Sequence, residues 1–176
     1  VTTFAAYGDS LTATPDFSWL NGAVAPDVAH VGGYAHGGYR SYQVAQNAAP
    51  VTADVTVIMV GTNDVSNAMW RVPLEVTLIA IRDIVVKSGA ARALIAAMPP
   101  RSDGFYAEAA QLNTDIRNYV TAMGWYWVDP WTQYRTPEGR WRAECSPDKI
   151  HPTAPVGTTA GEWLRHLIRA AVDVSA

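Results

Sequence analysis

The stretch "ADVTVIMVG", residues 53–61, constrains the fold of this chain more than any other. Val55 to Val60 form a nearly continuous β-branched run, apolar at odd and even positions alike, and a strand of that kind is buried on both of its faces. Helices must then lie above and below it. The rest of the chain supplies them. "VTTFAAYG" at the start, "DVAHVGGY", "ARALIAAMPP" and "WYWVDP" read as further strands, bounded by Gly and Pro. Between them, "DFSWLNGAV" predicts a brief helix capped by Asp16, and a second helix is expected from about Arg40 to Asn47. Pro73 opens a third, with Leu74, Leu78, Ile81 and Val85 as one apolar stripe and Gly89 as its end. "FYAEAAQLNTDIRNYVTAM" gives a fourth, closed by Gly124. After an irregular stretch to about Thr158, a last helix carries Trp163, Leu164, Leu167, Ile168 and Val172. Alternating strands and helices with short connections predict one parallel sheet covered on both faces, in a single domain over residues 1–176.

Composition narrows the choice of partners. Hydrophobic residues make up 49% and charged residues 16%, and the net charge of -3 comes with 13 scattered basic residues. Neither nucleic acid nor an anionic membrane surface is expected as a partner, because both need clustered Lys and Arg. No run approaches the roughly 18 apolar residues of a membrane span. The single cysteine, Cys145, cannot form an internal disulfide.

In a parallel sheet of this kind ligands bind at the carboxyl ends of the strands. Three polar motifs fall there: "GDSL" after the first strand, "HGGYRS" after the second and "GTND" after the third. A fourth, "SPDKIHP", precedes the last helix. Ser10 within "GDSL" has two readings on its own, a helix N-cap or a nucleophile, since serine is among the commonest caps.

Taken in order, the four blocks resemble those of the SGNH hydrolases, also called GDSL esterases and lipases: Gly8 to Leu11, "GGYAHGGYRS", Gly61 to Asp64, and Asp148 to Pro152. The resemblance implies a three-layer α/β/α sandwich, flavodoxin-like, with about five parallel strands. It implies that Ser10 is the nucleophile, His151 the general base and then acid, and Asp148 the carboxylate that orients the imidazole. The implied oxyanion hole comprises the Ser10 N–H, the Gly38 N–H and the Asn63 side-chain amide, with Gly37 as the alternative glycine. Tyr39 and Arg40 are bulkier than the small residues common in the glycine block. The chemistry requires such a set, because a neutral hydroxyl attacks an ester only when an adjacent imidazole takes its proton. The activity implied is cofactor-free and metal-free hydrolysis of a small-molecule carboxylic ester, with carbohydrate O-acetyl esters, acyl transfer and a non-catalytic binding role as alternatives. Oligomeric state and cellular compartment are left open.

Other residues have weaker claims. Asp129, after the fifth strand, is the rival to Asp148. His36 lies beside the proposed glycine, while His30 and His166 read as structural. Asp9 and Asp64 are expected to brace their loops. The D-x-x-H pair lacks a third ligand nearby for a metal site. Trp125, Trp127, Trp131 and Trp141 either pack the core or form an aromatic wall for substrate. A nucleotide-binding site would want a glycine-rich loop after the first strand, and "GDSLTATP" has one glycine.

Overall fold

Five strands, β1 (Thr2–Gly8), β2 (Val28–Ala35), β3 (Val55–Met59), β4 (Arg92–Ala96) and β5 (Tyr126–Val128), form one sheet in the computed structural model of the protein. The structure describes residues 1–65 and 69–173. The sheet order is β2-β1-β3-β4-β5 and every pairing is parallel. β3 is central and wholly buried, as its composition requires. Along it Val55, Val57 and Met59 enter one core, while Ile58, and Val60 just past its end, enter the other, the period-two alternation of a strand.

The helices are α1 (Ser10–Ala13), α2 (Leu20–Ala23), α3 (Ser41–Asn47), α4 (Leu74–Ser88), α5 (Tyr106–Ala122) and α6 (Ala154–Asp173). Residues of α3, α4 and α5 pack into the core holding Ile58, and those of α1, α2 and α6 into the core holding Val57. The architecture is therefore the expected three-layer α/β/α sandwich with five parallel strands. No helix among the described residues is long and apolar enough to cross a membrane.

Several local expectations need correction. Asp16 caps no helix among the described residues; the polar segment after β1 splits into α1, capped by Asp9, and α2, which starts at Leu20. Of the expected α4 stripe, Ile81 is buried and Leu78 and Val85 pack against the same core, while Leu74 is exposed; the centre of the buried face is Thr77, Ala80, Ile81, Ile84 and Ser88. α6 begins at Ala154 rather than after Thr158, because Pro155 sits in its first turn, where a missing N–H costs nothing.

The longest helix is held unusually close to α2. A Cβ added to Gly157 would stand 2.1 Å from the Phe17 carbonyl oxygen, and one on Gly161 1.8 Å from that of Trp19. Any side chain at either position pushes the two segments apart. This seam fixes the start of α6, and with it the segment carrying His151, against the residues that follow Ser10.

Candidate active site

β1 runs directly into the site. Asp9 caps α1 by accepting the Leu11 N–H at 3.0 Å, and Ser10 is the first helical residue, so the cap is Asp9 and not Ser10. Beside it lies the turn of residues 36–39, tied to the end of β1 by the His36 N–H on the Gly8 carbonyl at 3.2 Å. A Cβ on Gly37 would stand 3.9 Å from that of Ser10, and Gly38 has φ of +78. No acceptor for the Ser10, Gly37 or Gly38 N–H is present among the described residues.

The third block follows β3. Asp64 is buried and accepts from the Ser41 N–H at 2.8 Å, the Ser41 hydroxyl at 2.5 Å and the Thr77 hydroxyl at 2.6 Å. It thus joins the starts of α3 and α4, the bracing role expected of it. Its neighbour Asn63 donates one amide hydrogen to the Tyr39 carbonyl at 2.9 Å. Arg101, almost fully buried, donates to the Thr62 carbonyl at 2.7 Å and pairs with Asp103, which pins the same loop from the β4 side.

His151 stands just ahead of α6. Its Nε2 is 2.9 Å from the Ser10 hydroxyl, and its Nδ1 is 2.6 Å from the Asp148 carboxylate. The other Asp148 oxygen accepts the Ile150 and His151 N–H groups at 2.9 and 2.7 Å. Burial acts to raise the Asp148 carboxyl, but these bonds from His151 and Ile150 prevail and hold it below its ordinary value. Phe17 stacks on the imidazole with ring centres 4.7 Å apart. Lys149 takes φ of +71, a conformation costing an L-residue about 1–2 kcal/mol. That cost is offset by bonds on either side: the Ser102 N–H to the Lys149 carbonyl at 2.8 Å, and the Trp141 indole to the Ile150 carbonyl at 3.2 Å.

The structure therefore brings Ser10, Asp148 and His151 into one chain of hydrogen bonds, with Gly37, Gly38 and Asn63 alongside. It does not bring Asp129 there: its carboxylate pairs with Arg135 at 3.2 Å and caps the Trp131 N–H. Trp131 and Trp141 are buried and meet edge to face at 5.8 Å, and Trp125 and Trp127 pack against the cores, so these four do not make an open aromatic wall. Cys145 packs beside the core and gives its carbonyl to the Thr153 N–H. Phe17, the adjacent Arg101 and Ser102, and Trp141 support the site from three separate segments. Only their three-dimensional placement marks them, for none belongs to a local pattern.

Asp9 departs from ordinary behaviour. Burial first, and the nearby Asp64 second, raise its carboxyl to about 7 against the pull of the Leu11 N–H, and its Oδ2 has no partner among the described residues. A carboxyl with a raised folded pKa binds its proton more tightly in the native state, so stability falls as pH rises from about 4 to about 7. Asp9→Asn keeps the oxygen that caps Leu11 and removes the charge. The melting temperature of Asp9→Asn relative to the parent should therefore climb across that interval and level off above it. A difference that stays flat with pH would show that Asp9 titrates normally.

A family model described as the GDSL-like lipase/acylhydrolase family matches residues 6–155. The fold is also that of solved structures of low sequence identity. A GDSL-like lipase from Bacteroides thetaiotaomicron superposes with a TM-score of 0.76 at 17% identity, covering 97% of this chain and 89% of that one. An aryl esterase of M. smegmatis, solved in its inhibitor-bound form, gives 0.74 at 16% identity, over 97% of this chain and 100% of that one. A carbohydrate acetylesterase from Sinorhizobium meliloti gives 0.69 at 16% identity, over 97% and 99%. No curated protein matches the chain in sequence. With the family model spanning from β1 into α6, the chain belongs to the GDSL-like lipase/acylhydrolase family and is a carboxylic ester hydrolase.

Proposed function

We propose that the protein hydrolyses short-chain acyl esters, acetyl esters included, through an acyl-enzyme on Ser10. The observation that carries this reading is the unbroken series from the Ser10 hydroxyl to His151 Nε2 at 2.9 Å and from His151 Nδ1 to Asp148 at 2.6 Å. An ionised carboxylate only accepts, so the proton between them sits on Nδ1. Nε2 then presents its lone pair to the Ser10 O–H. As Ser10 Oγ bonds to the ester carbonyl carbon, its proton passes to Nε2, and Asp148 stabilises the imidazolium that forms. The imidazolium returns that proton to the departing alcohol oxygen as the C–O bond breaks. Water then repeats the sequence on the acyl-serine, giving the acid and restoring Ser10.

The carbonyl oxygen becomes an oxyanion in both steps. The Ser10 N–H, the Gly38 N–H and the second hydrogen of the Asn63 amide are its donors in this reading, and the start of α1 adds a favourable dipole. Each such donor is worth about 3 kcal/mol of barrier. The Asp148 side chain is 52% exposed and that of His151 28%, so the reacting edge opens on the surface. An open edge of this kind suits a small acyl group carried on a larger alcohol. The aryl esterase and the carbohydrate acetylesterase of the same fold agree with that substrate class.

The test is a series of nitrophenyl esters of rising acyl length, run beside acetylated sugars, together with labelling by an active-site-directed fluorophosphonate. Turnover should be fastest on the shortest acyl chains, with one adduct, on Ser10. Labelling elsewhere in the folded protein, or none, would overturn the nucleophile. Preference for long acyl chains would overturn the substrate class.

A further inference from the structure

The turn beside Ser10 can be built in two ways, and they aim the Gly38 N–H in opposite directions. Residues 36–39 are closed by the Tyr39 N–H on the His36 carbonyl at 3.3 Å, with Gly37 and Gly38 at the centre. Gly38 has φ of +78 and Gly37 is not in the left-handed region, which is the pattern of a type II turn. A type I turn has the same ends and the same closing bond, but its central peptide is turned over and its second central residue has φ near about −90°. The peptide is planar and trans, so the Gly37 C=O and Gly38 N–H point opposite ways and reverse together. Two glycines in sequence place no Cβ in the way of either form. Something outside the pair must select one.

His36 makes the selecting contact. Its Nδ1 lies 2.8 Å from the Gly37 carbonyl oxygen, and since a carbonyl only accepts, the ring nitrogen donates. Turning the peptide over carries that oxygen away and breaks the bond. The imidazole is itself held by Tyr39, whose ring stacks on it at 4.0 Å and 28°. Tyr39 also presents its carbonyl to Asn63, so one turn orients both the Gly38 N–H and the Asn63 amide. Donation into the Gly37 oxygen polarises the same amide and strengthens its N–H as a donor.

We propose that His36 is a positioning residue of the oxyanion hole, locking the Gly37–Gly38 peptide in the orientation that offers the Gly38 N–H to the substrate oxygen. The proposal rests on the reading of Ser10 as nucleophile, and it assigns the donor to Gly38 over Gly37. His36 touches no reacting atom and acts only through the peptide it holds.

Four variants test it on a short-chain nitrophenyl ester. His36→Ala removes the ring. His36→Phe keeps a ring on Tyr39 without the donor, and His36→Asn returns an N–H donor to the place of Nδ1. Gly38→Ala leaves the ring intact: the new Cβ meets nothing within 4 Å, so its effect is confined to the strain at φ +78 and favours the other turn. Because misplacing a reacting group costs up to about 100-fold, His36→Ala, His36→Phe and Gly38→Ala should each lower kcat by about 10- to 100-fold, with KM little changed. His36→Asn should recover most of the loss, and combining His36→Ala with Gly38→Ala should cost little more than either alone. Asn63→Ala, which deletes a donor outright, sets the upper scale at about 100- to 1,000-fold. Unchanged kcat in His36→Ala, or recovery by Phe and not by Asn, would overturn the proposal. Fluorophosphonate labelling of the parent separates the two levels. A Ser10 adduct with no kinetic effect at His36 refutes the positioning role alone, and no adduct on Ser10 removes the reading beneath it.

Discussion

Ser10→Ala protein should melt at close to the parent temperature, fail to react with a fluorophosphonate, and hydrolyse esters about a million-fold more slowly. Among the described residues Ser10 Oγ is bonded to His151 Nε2 alone, so its removal leaves no buried group unsatisfied there, and the cap of α1 belongs to Asp9. The loss is therefore chemical. Removal of His151 should cost a similar factor, because the serine without its base is nearly as inert as no serine at all. The double variant should be no worse than either single one, which is the signature of groups acting as a unit. Residual rates in Ser10→Ala within about tenfold of the parent, far above what loss of a nucleophile permits, would remove Ser10 from the mechanism.

Asp148→Asn tests the other end of the chain of bonds. The asparagine oxygen can still accept the Ile150 and His151 N–H groups, so the strained loop at Lys149 keeps its internal support. What changes is the ring. An amide N–H facing Nδ1 draws the proton to Nε2, the nitrogen that must be free to accept from Ser10. The expected fall in kcat is about 10,000-fold, with KM within a few-fold of the parent. Asp129→Asn is the control: its partner is Arg135, so it should leave kcat nearly untouched. The reverse result, a severe loss at Asp129 and little at Asp148, would transfer the orienting role.

How much of this was readable in the chain depends on the range over which each feature is determined. β3 declares itself because six neighbouring residues carry the pattern, and Gly89 ends α4 as expected, with φ of +69. The apolar stripe of α4 places Leu78, Ile81 and Val85 on the core side but not the centre of the buried face, because apolar residues occur almost all round that helix, among them the exposed Ile79 and Val86. The decisive member is the polar Thr77, buried because its hydroxyl reaches Asp64 in the preceding loop. α6 starts ahead of the apolar residues that announce it, Trp163 onward, since its first turn holds Pro155, which a first turn tolerates. Ser10, Asp148 and His151, which the structure joins by hydrogen bonds, are legible from motifs of a few residues each. Their supports are not: Phe17 meets His151, and Ser102 meets Lys149, only through the topology of the sheet.

That topology has a consequence for the making of the protein. Ser10 and His151 touch across a separation of 141 residues, and α6 closes against α2 along a seam with no room for a side chain at Gly22, Gly157 or Gly161. A chain emerging from the ribosome exposes Ser10 well before His151, and contacts of such long range form late because the loop between them must first be ordered. In the proposed mechanism the growing chain thus carries an unactivated Ser10 until the segment holding His151 is made and α6 docks against α2.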